Sequence, residues 1–154
     1  MLNENNLKRV EELKRRYPTT QALTLPVLWM VQEQEGYISE TSMREVAELL
    51  NVSFAHVLGV VTFYTMFQRQ PIGRHHIEVC TNVSCMLRGS KQIMQHLERR
   101  LGIACGETTP DKRVTLSETE CMGACGNAPM LAIGEEYHEH LTVEKVDRLL
   151  EGLK

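Results

Sequence analysis

Several functional classes are excluded by what this 154-residue chain lacks. Its longest apolar stretch, around Leu58–Val61, falls far short of the roughly 18 residues a bilayer span requires. The opening residues up to Arg9 are polar and contain no apolar export core, so a soluble cytoplasmic chain without direct membrane insertion is expected. A positive excess is absent too: 17 Lys and Arg face 20 Asp and Glu, a net charge of −3. That argues against nucleic acid as a partner, because phosphate binding needs a basic face. Neither a G-x-G-x-x-G turn nor a P-loop lysine occurs, so the chain has no recognisable dinucleotide or nucleoside-phosphate site of its own. No Ser–His–Asp arrangement can be argued from spacing. Finally, no cysteine precedes residue 80.

What remains is close to a globular average, with 42% hydrophobic and 24% charged residues. The length suits one ordinary domain or two small ones. The pattern changes character near Pro71-Ile72-Gly73, which suggests two parts, residues 1–72 and 73–154. The first reads as helices throughout. Leu7, Val10, Leu13 and Tyr17 recur at helical spacing before Pro18. Thr24 is placed to cap a second helix that admits Pro26 in its first turn and ends at Gly36. A third helix follows Ser39 or Thr41, and Ser53 caps a fourth.

The second part alternates. Ile77 and Val79 mark a strand ending at Cys80, and Met86–Leu101 reads as one helix. Strands follow over Arg113–Thr119, Pro129–Ile133 and Tyr137–Leu141, and Thr142 caps a last helix. The fold class is therefore α+β, a helical bundle followed by a small α/β domain with a mixed sheet.

Five cysteines without an export signal point away from a disulfide framework, and an odd number cannot pair completely. Cys80 and Cys85 form C-x4-C; Cys121 and Cys125 form C-x3-C. Each pair follows an expected strand, in a loop of small residues. Two such loops at one end of a sheet bring four thiolates together, the number a [2Fe–2S] cluster needs. Backbone amides, and the N-terminus of the helix expected after Cys85, offset the cluster's negative charge. A structural zinc site also takes four cysteines, usually from tighter C-x2-C knuckles, and stays open on spacing alone as a zinc-stabilised interaction module. A dithiol redox pair would favour C-x2-C, which is absent. Cys105 has no near partner and reads as a bystander thiol.

These residues resemble a known family. Cys80-x4-Cys85 and Glu120-Cys121-Met122-Gly123-Ala124-Cys125 are similar to the thioredoxin-like [2Fe–2S] ferredoxins. Val46–Leu50, Val60–Phe67, Leu101–Ile103, Cys121–Pro129 and His140–Thr142 extend the likeness, over almost the whole chain, to the E-type subunits of bacterial NADH:quinone oxidoreductases. The resemblance implies a thioredoxin-like second domain with one [2Fe–2S] cluster on Cys80, Cys85, Cys121 and Cys125. It also implies an F-type partner subunit carrying FMN, the NADH site and a [4Fe–4S] cluster, with the large iron–sulfur subunit as a further neighbour. Electrons would pass between that flavin and this centre, and no residue would act as acid, base or nucleophile. Assembly in such a complex would hold the chain at the inner face of the plasma membrane. The equivalent subunit of a soluble NAD-linked hydrogenase or formate dehydrogenase shares the pattern, and a free homodimeric ferredoxin of this fold is a further alternative.

Three features invite other readings. Met43–Tyr64 mimics a helix-turn-helix, but Ser53–Gln68 contains no Lys or Arg to meet phosphates or guanine edges, so core packing explains it better. Phe63, Tyr64 and Phe67 read as core or junction packing, with a docking patch as the alternative. His75 and His76 read as solvated or packing residues rather than metal ligands.

Overall fold

A computed structural model describes residues 2–153. The chain divides into two compact units, Met1–Pro71 and Ile72–Lys154.

In the first unit, α1 covers Glu4–Lys14, α2 Thr24–Glu35, α3 Glu40–Leu50 and α4 Phe54–Phe63. Short polar side chains start three of them. Asn3, Ser39 and Ser53 each accept a hydrogen bond from the backbone N–H three residues on, satisfying a donor the helix would leave unpaired. Thr24 behaves differently from the cap expected. A 3-10 turn over Thr20–Leu23 runs directly into α2, so Thr24 is its first residue and its hydroxyl donates to Gln21 O at 2.7 Å. The first helix also stops at Lys14, three residues before Tyr17, which is exposed. Gly36 ends α2 at φ 81°, in the left-handed region that favours glycine.

The apolar faces meet in one core built from Val10, Leu23, Val27, Leu28, Ile38, Val46, Leu50, Val57 and Phe67, among others. Of the positions that mimic a helix-turn-helix, Ala47, Leu50 and Val57 belong to that core, and Val52 packs half-buried against it. The aromatic run splits: Phe67 is buried, Tyr64 half-buried, and Phe63 is 77% exposed.

In the second unit, β1 (His75–Cys80), β2 (Val114–Thr119), β3 (Leu131–Ile133) and β4 (Glu136–His138) form a sheet in the order β2-β1-β3-β4. The β1–β2 pair is parallel and the other two pairs are antiparallel, so the sheet is mixed. Between β1 and β2 lie α5 (Val83–Leu87) and α6 (Ser90–Leu101), and α7 (Val143–Gly152) closes the chain. Ile77, Val79, Val114, Leu116 and Leu131 pack with Ile93, Met94 and Leu97 of α6 and Val146 of α7.

The single helix expected over Met86–Leu101 is two. The chain breaks at Gly89, φ 98°, and Leu87 is 77% exposed rather than a core residue. Strand β3 starts at Leu131, not Pro129. Proline has no N–H for the ladder, and its carbonyl instead accepts from Leu141 N at 2.9 Å. Strand β4 begins one residue earlier than expected and ends at His138. Among the described residues, no helix is long and apolar enough to cross a membrane.

Candidate metal centre

Parallel pairing decides where the cysteines go. Cys80 is the last residue of β1 and stands opposite Thr119, the last of β2. Because both strands run the same way, the chain leaves each of them at the same sheet end, one interstrand spacing of about 4.8 Å apart. Both cysteine pairs are therefore launched side by side despite the 35 residues between them.

The two pairs differ in environment. Cys80 and Cys85 are buried, with Ala128 and Met130, and Met122 and Ala124 pack against this group. Cys80 is anchored through its N–H to Met130 O at 3.2 Å, and the next residue, Thr81, bonds to Thr119 O at 3.0 Å. The Cys80 thiol donates to Glu120 O at 3.7 Å, which ties the first pair to the residue preceding Cys121.

Cys85 lies inside α5, not before a helix as expected. Asn82 caps this short helix through Val83 N at 2.7 Å. The charge-offsetting helix N-terminus placed after Cys85 by the sequence is therefore a separate element, α6, which starts at Ser90.

Cys121 and Cys125 are exposed, in the segment from the end of β2 to the 3-10 turn Cys125–Asn127. Gly123 N–H donates to Cys121 Sγ at 3.4 Å, from a backbone at φ 78° that favours glycine.

The thiols interact electrostatically. Burial pushes the Cys85 thiol up to about 11, helped by its hydrogen bond with Cys80 and by the like charges of Cys80 and Cys125. The Cys85 thiol therefore resists ionising in the absence of a cation. A bound metal removes that obstacle, because coordination deprotonates the thiol outright. Among the described residues, no three Cys, His, Asp or Glu side chains converge on one ion. A [2Fe–2S] centre asks for something else, two thiolates on each of two irons, and the residues present are two such pairs. Their number, their pairing and the small, apolar lining fit that group.

Cys105 stands apart. It packs half-buried against the α6–sheet core, its N–H bonds to Glu98 Oε1 at 3.1 Å, and burial raises its thiol. His76 is likewise occupied elsewhere, with Nε2 2.7 Å from Ser117 Oγ, and burial lowers its pKa.

Asn127, Glu139 and Tyr137, to which the sequence assigned no role at the site, brace the exposed pair. Asn127 Nδ2 donates to Glu139 Oε2 at 2.7 Å, and His140 N–H donates to Asn127 O at 2.7 Å. Glu139 O in turn accepts from Lys145 Nζ. Tyr137 Oη donates to Met122 O at 3.1 Å. The only signal available was the turn chemistry of Gly126-Asn127-Ala128, since Asn is at home in turns; nothing local links it to Glu139.

A model of the family described as "Thioredoxin-like [2Fe-2S] ferredoxin" matches residues 10–154. The chain belongs to that family. Curated relatives narrow it to the E-type subunits of NADH:quinone oxidoreductase, an oxidoreductase complex. One such E-type subunit, from Rhizobium meliloti (strain 1021), is 43% identical over 96% of this chain and 88% of its own length. Its counterpart from Rickettsia conorii is 39% identical over 99% of this chain and 93% of its own. Among solved structures, an NAD+-reducing [NiFe]-hydrogenase in the air-oxidized state has a TM-score of 0.73, with 22% identity over 85% of this chain and 22% of its own, a likeness of fold. One [2Fe–2S] cluster is the cofactor of the family to which the chain belongs.

Proposed function

We propose that this chain is an electron-carrying subunit of an NADH:quinone oxidoreductase, holding one [2Fe–2S] cluster on Cys80, Cys85, Cys121 and Cys125. The observation that carries the reading is the parallel β1–β2 ladder, which launches both cysteine pairs from one sheet end. When bound there, the cluster supplies one-electron exchange with the FMN of a partner NADH-binding subunit.

The chain's own residues do the rest. Ala128, Met130 and the flanking Met122 and Ala124 keep water from the inner pair, and a drier site strengthens every charge interaction in it. The Gly123 N–H stabilises negative charge on the Cys121 sulfur. Exposed Cys121 and Cys125 form the outward edge, the side from which a partner's electrons arrive. In this reading the helical unit is a docking body, the second unit bears the cluster, and partner subunits hold both at the inner face of the plasma membrane.

Anaerobic purification, with visible and EPR spectra and identification of bound chains, tests cluster and partner together. Serine at any of the four positions abolishes or distorts the [2Fe–2S] spectrum, and Cys105→Ser leaves it intact. A colourless protein with one zinc and no iron or sulfide, or loss of the cluster in the Cys105 variant, refutes the assignment.

A further inference from the structure

One peptide unit beside Cys121 is held at both of its ends. Its carbonyl, Met122 O, accepts from Tyr137 Oη at 3.1 Å. Its amide, Gly123 N–H, points at Cys121 Sγ, 3.4 Å away. A trans peptide is planar, with C=O and N–H directed oppositely, so fixing the oxygen fixes the direction of the hydrogen. A donor on the carbonyl also polarises the unit and strengthens the bond its N–H makes.

Tyr137 is well placed for this task. It sits on β4, paired with Ala132 of β3, so its backbone is anchored in the sheet. The residue is 51% exposed, so burial does not explain the hydroxyl contact. At the other end of the same loop, Asn127 is tied to Glu139 and to His140 N–H. With that end held, the Met122–Gly123 peptide is the unit whose orientation Tyr137 sets.

We infer that Tyr137 is a positioning residue: its hydroxyl orients the Met122–Gly123 peptide so that the Gly123 N–H is aimed at the Cys121 sulfur. The inference rests on the ligand role of Cys121 proposed above. An N–H donated to a ligating sulfur favours the more negative, reduced form of a cluster, and hydrogen bonds to sulfur are among the factors that set its potential. Tyr137 therefore raises the potential of the centre without touching it.

Tyr137→Phe keeps the ring and removes the hydroxyl. Two readouts decide. In the metal-free chain, NMR hydrogen exchange at the Gly123 amide accelerates about tenfold, while amides of β1–β3 keep their rates. In the loaded chain, redox titration followed by EPR shows a more negative midpoint. A threefold to tenfold loss of preference for the reduced form corresponds to about 28–59 mV for one electron. Tyr17→Phe, at an exposed tyrosine of the helical unit, leaves both readouts unchanged.

If the wild-type chain takes up no [2Fe–2S] cluster, the function proposed above fails, and the exchange rate alone decides on Tyr137: acceleration upholds its role, an unchanged rate overturns it. If the wild-type chain binds the cluster, the potential decides. A more negative midpoint in Tyr137→Phe upholds the inference. An unchanged midpoint with unchanged g values overturns it and leaves the function standing.

Discussion

Replacing Gly73 with alanine should weaken the second unit without disturbing its cysteines. A Cβ built on Gly73 meets Val114 C at 2.8 Å, Val114 N at 2.9 Å and Arg113 C at 3.0 Å. Comfortable carbon contacts lie at about 3.5–4.0 Å, so the new methyl overlaps its neighbours by about 0.5–1.2 Å. All three atoms are backbone, and no rotamer change can clear them. Either residue 73 or the start of β2 must move. Movement strains the Gly73 N–H bond to Thr115 Oγ1 (2.6 Å) and the first links of the ladder, Arg74 N to Lys112 O (3.1 Å) and His75 N to Arg113 O (2.8 Å).

Overpacking of this kind costs about 1–3 kcal/mol, and each weakened hydrogen bond adds about 0.5–1.5 kcal/mol. The reduced backbone freedom of alanine in the unfolded chain returns only about 0.4–1 kcal/mol. With one hydrogen bond weakened, its loss and the unfolded-state gain roughly cancel, leaving a net loss of about 1–3 kcal/mol. For a unit of this size that lowers Tm by roughly 4–24 °C. Calorimetry of the metal-free chain measures the shift, and urea titration should show a lower midpoint with an unchanged slope.

Gly73 lies seven residues before Cys80, about 23 Å along an extended chain, so cluster absorbance per folded molecule should match wild type. A Tm within 1 °C of wild type would refute the close approach of these backbones. A lost cluster in a fully folded variant would refute the separation between the two strand ends.

Other expectations can be checked alongside. Leu97 is fully buried between helix and sheet, so Leu97→Ala should cost about 2–5 kcal/mol in urea unfolding. The hydrogen bond from His96, with Arg100 beside it, holds the Asp147 carboxyl below its ordinary value. A carboxyl depressed in the folded state contributes stability above its unfolded pKa and loses it as pH falls through the folded one. Wild type should therefore lose stability more steeply than Asp147→Asn below about pH 4, as followed by acid titration of the circular dichroism. In the metal-free chain at pH 8, iodoacetamide should label exposed Cys121 and Cys125 well before Cys85. A Cys85 thiol at about 11 against the ordinary 9.0 has about one-hundredth of the thiolate, besides being buried. Mass spectrometry of the labelled peptides gives the order, and equal rates would contradict it. Glu139→Ala frees the Asn127 side chain, and limited proteolysis should then cut within 121–128 sooner than in wild type, with no new cuts in α6.

Features decided within a few residues were legible from the sequence. Ser39, Ser53 and Thr142 cap the helices they precede, because each places an oxygen within reach of the N–H three residues on. Ile77 and Val79 point to the core as their alternation indicated. Misreadings arose where two local rules competed. Between Met86 and Leu101 the apolar period suggested one continuous helix, although an isolated glycine weakens a helical pattern, and the chain does break at Gly89, where φ is 98°. At Thr24 a preceding 3-10 turn took over the start of the helix, moving a good capping residue inside it. The braces on the exposed pair, Tyr137 to Met122 and Glu139 to Asn127, span 15 and 12 residues and depend on the β3–β4 turn, so no window of sequence displays them. The same holds for the asymmetry between a buried and an exposed cysteine pair.

The parallel β1–β2 ladder has a consequence for how this chain tolerates change in length. The two cysteine pairs are related through the strand ends, not through the 35 residues that join them. Residues added in the turns between α6 and β2 lengthen the crossover and leave the strand ends where they are. One residue inserted inside β1 or β2 has a different effect. It slips the register by about 3.3 Å, turns every following side chain to the opposite face, and carries one cysteine pair out of step with the other. Insertions and deletions should therefore be rejected between His75 and Cys80 and between Val114 and Cys121, and also over Gly106–Thr109, whose backbone bonds to β2.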